Sequence, residues 1–169
     1  MPALAFAAGS AWRVSAAGGI DGRRRRRFYF AAREARMKIK PVSELVEAAC
    51  REIVVLDAAE AIARQGAGAA ILVDIRDIRE LDRDGRIDGA VHAPRGMLEF
   101  WFDPACKYHR EVFADSARTY VLFCAAGWRS ALATKTLQDM GFANVAHVDG
   151  GFAALRQAGA PVVGGPERQ

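Results

Sequence analysis

The residues best suited to chemistry lie in one short segment, residues 124–130, which combines a cysteine, small residues and an arginine. A cysteine becomes a nucleophile when it loses its proton, and nearby positive charge or N–H donors favour that loss. Ala125, Ala126 and Gly127 allow the backbone to curl, so that successive N–H groups point inward and form an anion-binding cradle. The segment therefore predicts a reactive thiolate at Cys124.

Arg129 and the helix that follows the segment strengthen this prediction. We expect that helix to run from about Ser130 to Met140 and to end at Gly141, with its first N–H groups beside the loop. Arg129 adds a full positive charge, which a guanidinium keeps at any working pH. Cys124 and Arg129 are therefore the predicted catalytic residues. The predicted substrate-binding residues of this loop are Ala125, Ala126, Gly127, Trp128 and Ser130.

Two further residues are candidates for the same site because they end or follow predicted strands. Asp74 ends an apolar run, where its carboxylate either orients the loop or pairs with Arg76. The second role is the commoner one, because carboxylates at strand ends usually satisfy nearby donors. Arg95 follows a short strand near His92 and could bind an anionic substrate. Asp74 and Arg95 complete the predicted set of substrate-binding residues.

The alternation of strands and helices explains why these residues would meet. Residues 70–75 are apolar on both faces, which is typical of a buried strand in a parallel sheet. We expect strands at 53–56, 70–75, 90–92, 119–123 and 144–148, and helices at 43–50, 58–65, 95–102, 130–140 and 151–157, the first capped by Ser43. Residues 76–89 are expected to be a polar stretch with a turn. The pattern predicts an α/β fold in which a parallel sheet is sandwiched by helices.

Length and charge indicate one folded domain with a separate leader. The 169 residues carry a formal net charge of +4. Residues 1–36 hold eight arginines and two acidic residues, so residues 37–169 hold 16 basic and 18 acidic residues. We expect a disordered leader over 1–36, which is either a transit peptide or upstream of a true start at Met37, then a domain over 37–163 and a loose tail over 164–169. The basic excess lies in the leader, so nucleic-acid binding by the domain has no compositional support.

Three motifs in the same order resemble those of the single-domain rhodanese family of sulfurtransferases, from about Pro41 to Val162. They are residues 72–76 followed by Glu80, residues 85–92 (GRIDGAVH), and the Cys124 loop with Gly150-Gly151-Phe152 downstream. The resemblance implies an α/β rhodanese-like three-layer sandwich, with a central parallel sheet of about five strands flanked by helices. It also implies that Cys124 accepts a sulfane sulfur from thiosulfate or a related donor, holds it as a persulfide, and passes it to cyanide or a thiol.

Loop length separates the enzyme alternatives. Four residues lie between Cys124 and Arg129, whereas related dual-specificity phosphatases have a C-x5-R loop with a wider cradle. A phosphatase or arsenate reductase is therefore the weaker alternative, beside a non-catalytic or sulfur-carrier binding module. The expected partners are a small-molecule sulfur donor, a thiol acceptor and, as an option, a sulfur-relay protein.

The cysteine and motif inventory sets the remaining expectations. The sequence has three cysteines without paired or C-x-x-C spacing, so we expect a reducing compartment. That compartment is the cytoplasm, or an organelle matrix if the leader is a transit peptide. The sequence shows no apolar run long enough to span a membrane and no metal or nucleotide motif, and we expect no cofactor.

Overall fold

The computed structural model describes residues 39–165. The leader predicted over residues 1–36, the proposed start at Met37 and residues 166–169 of the tail lie outside the described residues. The elements in chain order are α1 (Val42–Cys50), β1 (Val54–Leu56), α2 (Ala58–Gly66), β2 (Ala70–Asp74), α3 (Ile78–Asp84), β3 (Arg86–Ile87), β4 (Val91–His92), a 3-10 turn (Arg95–Met97), α4 (Leu98–Phe102), a second 3-10 turn (Glu111–Phe113), β5 (Thr119–Phe123), α5 (Trp128–Asp139), β6 (Val145–Val148), α6 (Gly151–Gln157) and β7 (Val162–Val163).

Within residues 39–165, five strands form one parallel sheet in the order β1-β6-β5-β2-β4. β5 lies at its centre and pairs with β2 from Ala70 opposite Thr119 to Asp74 opposite Phe123. Strands that follow one another within this sheet are connected through helices, the usual crossover between parallel strands. The predicted α/β fold with a central parallel sheet of about five strands is confirmed.

The core consists of two apolar clusters, one on each face of the sheet. Alternate residues of β5 point to opposite faces, so Val121 and Phe123 join the cluster that contains Phe152 and Leu155 of α6. Leu122 and Cys124 join the other cluster, with Ala133 and Leu137 of α5. The Cys124 side chain therefore lies on the α5 face of the sheet.

One helix and two strands were not predicted. Residues 78–84 form α3, where we expected only a polar stretch, because Asp77 and Glu80 make a reciprocal capping box. β3 lies in the same stretch and β7 follows the last predicted helix, and the two strands pair antiparallel, with Val162 opposite Ile87. None of these three elements has an apolar period of its own to predict it.

Two predicted helix starts were wrong. α1 begins at Val42 with Pro41 as its N-cap, and Ser43 makes no capping hydrogen bond, so the predicted Ser43 cap is absent. Proline cannot donate a backbone hydrogen bond and suits the first turn, where no partner is needed. α5 begins at Trp128, two residues earlier than expected, so Trp128 and Arg129 form its first turn.

Candidate functional site

The loop that carries Cys124 follows the central strand, at the edge of the sheet where ligands bind in open α/β folds. Only 1% of Cys124 is exposed. Ala125 is half-buried and Ala126 is exposed, so the two alanines lie at the rim while the cysteine lies beneath them. A ligand that reaches the sulfur must therefore be narrow at its reacting end.

Backbone N–H groups surround the sulfur as the small residues predicted. The Gly127 N–H donates to Cys124 Sγ at 3.2 Å, and Gly127 has a φ of +96°, which a residue with a side chain rarely adopts. Burial by itself raises the pKa of the Cys124 thiol. The N–H groups of Ser130, Ala126 and Gly127, together with the Ser130 hydroxyl, outweigh that effect and lower the pKa below its ordinary value. The loop therefore favours a thiolate.

The first residues of α6 hold the outer side of the loop. The Phe152 N–H donates to the Cys124 carbonyl at 2.7 Å, and the Ala153 N–H donates to the Ala125 carbonyl at 3.3 Å. A side chain on Gly151 would lie 2.3 Å from the Cys124 carbonyl oxygen, so glycine is required there. Because these carbonyls point toward α6, the N–H groups of the loop are left to point toward the sulfur.

Arg129 is fixed by a residue far away in the sequence. Its guanidinium donates to both carboxylate oxygens of Glu80, at 2.7 and 2.8 Å. This bond raises the pKa of Arg129, and proximity to Cys124 raises it further, while the same bond lowers the pKa of Glu80. The positive charge expected beside Cys124 is present, but Glu80 largely balances it.

Trp128 and Ser130 flank Arg129 and have opposite surroundings. Trp128 is 55% exposed at the rim of the loop. Ser130 is fully buried, with its hydroxyl 3.7 Å from Cys124 Sγ and 2.9 Å from the Gly127 carbonyl. Ser130 therefore contacts the sulfur from inside the protein, and Trp128 faces the solvent at the outer side of the loop.

Asp74 forms the ion pair with Arg76 that its position at the end of a strand suggested. Its carboxylate binds the buried Arg76 guanidinium through bonds of 2.7 to 3.1 Å. Arg76 also donates to the Gly85 carbonyl and stacks on the Phe152 ring, 3.9 Å from its centroid. The pair anchors α3 and α6 to the sheet, and both Asp74 oxygens accept hydrogen bonds from Arg76.

Arg95 follows β4, and its side chain pairs with Glu99 one helical turn later. Its backbone N–H donates to the Ile75 carbonyl, which ties this segment to the end of β2. The structure thus brings Cys124, Gly127 and Ser130 into direct contact, with Arg129 beside them. Arg95 and Asp74 have carboxylate or guanidinium partners of their own.

Two residues of the site were not predicted. Glu80 belongs to a motif already noted in the sequence, and its spacing after Arg76 was the signal that could have identified it. His147 in β6 is 2% exposed, and its Nδ1 lies 3.4 Å from Ser130 Oγ. Nothing in the local sequence marks His147, because the contact depends on how β6 pairs with β5.

Groups of metal ligands and membrane-spanning helices are both absent from the part of the chain that the structure describes. Among residues 39–165, no three His, Cys, Asp or Glu side chains are grouped as metal ligands would be. None of the helices described there is long and apolar enough to cross a bilayer.

Similar solved structures share this architecture. The chain is 45% identical to a Rhodopseudomonas palustris protein described as of unknown function and a possible tyrosine phosphatase, with a TM-score of 0.70, covering 76% of this chain and 98% of that one. It is 26% identical to a rhodanese-related protein of Thermoplasma volcanium, with a TM-score of 0.52, covering 65% and 97%. It is 25% identical to a rhodanese-like domain of an Anabaena protein, with a TM-score of 0.51, covering 64% and 77%.

The family assignment rests on a match to a protein-family model. The model of the rhodanese-like domain family matches residues 57–158, which run from the N-cap of α2 to the end of α6. This range contains the Cys124 loop, Glu80, and Gly150 and Gly151, against which the loop packs. The chain belongs to the rhodanese-like domain family.

Proposed function

We propose that the protein is a sulfurtransferase that moves sulfane sulfur from a small-molecule donor to a thiophilic acceptor. In the first step the Cys124 thiolate attacks the outer sulfur of a donor such as thiosulfate. The S–S bond of the donor breaks, its electron pair leaves with sulfite, and Cys124 becomes a persulfide anion. In the second step cyanide or a thiolate attacks and removes the outer sulfur. The S–S bond of the persulfide breaks, and its electron pair stays on Cys124 Sγ, which becomes a thiolate again.

One observation carries this proposal: the Cys124 sulfur lies at the bottom of a narrow cradle of N–H donors. Such donors stabilise negative charge on the thiolate before attack and on the persulfide afterwards. The outer sulfur of thiosulfate or of a persulfide is a single atom at the end of a chain. It suits a nucleophile of which only 1% is exposed.

The test is an intact-mass measurement after incubation with thiosulfate. Wild type should gain one sulfur atom, and cyanide should remove it with release of thiocyanate. Cys124→Ser should gain none, while Cys106→Ser, which alters a half-buried cysteine outside the loop, should behave as wild type. An equal adduct in Cys124→Ser, or none in wild type, would refute the proposal. A stable adduct without turnover would indicate a sulfur-carrier module instead.

A phosphatase is the second candidate, because a 45% identical protein is described as a possible tyrosine phosphatase. Phosphoryl transfer needs a group that protonates the leaving oxygen. Glu80, which pairs with Arg129 of the loop, and Asp74, at the end of β2, each bind an arginine through both oxygens. Together with the shorter loop, this favours sulfur transfer. Hydrolysis of aryl phosphates that disappears in Cys124→Ser would reverse the ranking.

A further inference from the structure

A line of buried polar side chains leads from Cys124 into the protein. The Ser130 hydroxyl oxygen lies 3.7 Å from Cys124 Sγ and 3.4 Å from Nδ1 of His147. The other ring nitrogen, Nε2, lies 3.9 Å from Sγ of Cys50 in α1. Ser130 and His147 are buried, so water does not substitute for these contacts.

The Ser130 hydroxyl has one proton and three groups within reach. These are the Gly127 carbonyl at 2.9 Å, the Cys124 sulfur and His147 Nδ1. If Nδ1 carries no proton, it competes with the sulfur for the hydroxyl proton. If Nδ1 carries the proton, it donates to Ser130 Oγ, and the hydroxyl proton goes to the Gly127 carbonyl or to the sulfur. The tautomer of His147 therefore decides what Ser130 can offer Cys124.

The Cys50 contact favours one of the two tautomers. Burial, followed by the charge of Asp149, raises the pKa of the Cys50 thiol, so the thiol keeps its proton and can donate it to Nε2. Burial also lowers the pKa of His147 against the opposing effects of Asp149 and of a hydrogen bond with the Val148 backbone, so the ring is neutral and holds one proton. A neutral ring that accepts at Nε2 carries its proton on Nδ1.

We propose that His147 is a positioning residue for the nucleophile, whose Nδ1–H holds the Ser130 oxygen so that the hydroxyl proton is available to the Cys124 sulfur. The hydroxyl rests on the Gly127 carbonyl when Cys124 is a thiol and turns to the sulfur when the thiolate forms. The inference rests on the proposed function only in taking Cys124 as the nucleophile.

The test is the pH midpoint of Cys124 alkylation by iodoacetamide, followed by the mass of the peptide that contains Cys124. His147→Leu should raise the midpoint by about 0.4 to 1 unit, which is below the value of about 1 to 2 units for a full hydrogen bond to a charged group, because the Ser130 hydroxyl stays in place. His147→Asn, whose amide N–H can replace Nδ1–H, should stay near wild type. In a Ser130→Ala background, His147→Leu should cause no additional shift, because the hydroxyl that it acts through is gone.

Three results would overturn the proposal. They are an unchanged midpoint in His147→Leu, an equal shift with and without Ser130, and a shift in His147→Asn as large as in His147→Leu. Melting temperatures measured by circular dichroism show which variants fold. If His147→Leu does not fold, Cys50→Ala serves instead, because it removes the donor to Nε2 and leaves Ser130 intact. A raised midpoint in Cys50→Ala supports the proposal, and an unchanged one refutes it.

The midpoint is measured without any sulfur donor. An absent thiosulfate adduct in wild type would therefore refute the proposed function and leave the coupling between His147 and Ser130 standing. The reverse outcome, an adduct without coupling, would refute only the role of His147.

Discussion

Removing the Arg129 side chain should raise the pKa of Cys124 in two ways. Arg129→Ala deletes the positive charge beside the sulfur and leaves the carboxylate of Glu80, only 19% exposed, without its bidentate partner. Both changes place net negative charge near the thiolate and raise the pKa of Cys124. Glu80→Gln acts in the opposite direction, because it removes a negative charge and leaves the guanidinium.

The magnitude follows from charge and exposure. Two unit charges about 5 to 10 Å apart interact by about 1 to 2 kcal/mol at an effective dielectric constant of about 30, which corresponds to about 0.8 to 1.6 pKa units. The Arg129 side chain is 43% exposed, so solvent screening places the effect near the lower end. We expect Arg129→Ala to raise the midpoint by about one unit, and Arg129→Lys to raise it less.

The assay is the pH dependence of Cys124 alkylation, with thiosulfate kinetics measured on the same proteins. Glu80→Gln should have a midpoint at or below that of wild type. The double variant Glu80→Gln/Arg129→Ala, which lacks both charges, should return to within about half a unit of wild type. The kcat/KM for thiosulfate should fall about tenfold or more in Arg129→Ala, because a charge-assisted contact to the anionic donor is lost as well.

The midpoints of wild type, Arg129→Ala, Glu80→Gln and the double variant test whether these two charges control the pKa of Cys124. If Arg129→Ala alkylates with the wild-type midpoint and turns over normally, Arg129 only ties the start of α5 to α3, and the loop N–H groups hold the charge alone. If the midpoint of the double variant is as high as that of Arg129→Ala, the unpaired Glu80 carboxylate does not raise the pKa of Cys124.

Two further predictions concern the framework of the site. Asp74→Ala should lower the free energy of unfolding by about 3 to 5 kcal/mol in urea titrations, because the buried Arg76 loses its partner. It should leave the pH midpoint of Cys124 alkylation unchanged in the folded protein. A stable variant with weakened thiosulfate binding would instead make Asp74 a substrate ligand. Gly151→Ala should lower the melting temperature and raise the pH midpoint of Cys124 alkylation, because its methyl group would meet the Cys124 carbonyl. Gly159 also has a positive φ but has open space around it, so Gly159→Ala should cause only backbone strain and leave that midpoint unchanged. Equal effects of the two substitutions would show that packing against α6 does not shape the loop.

The sequence alone determined the features that depend on neighbouring residues. The apolar run of β5 and the small residues after Cys124 predicted a strand and an inward-facing loop, and both are present. These predictions succeed because strand formation and backbone curvature are decided by side-chain size and polarity over a few residues. The parallel sheet followed as well, because parallel strands need a crossover connection and a helix is the usual one.

Tertiary structure alone decided which side chains meet. Glu80 and Arg129 are 49 positions apart, and they pair because α3 and α5 both begin at the same edge of the sheet. His147 reaches Ser130 because Leu122 pairs with His147 in the register of β5 and β6. A contact of this kind depends on strand order and register, which are set by the whole core and leave no mark in the residues beside it.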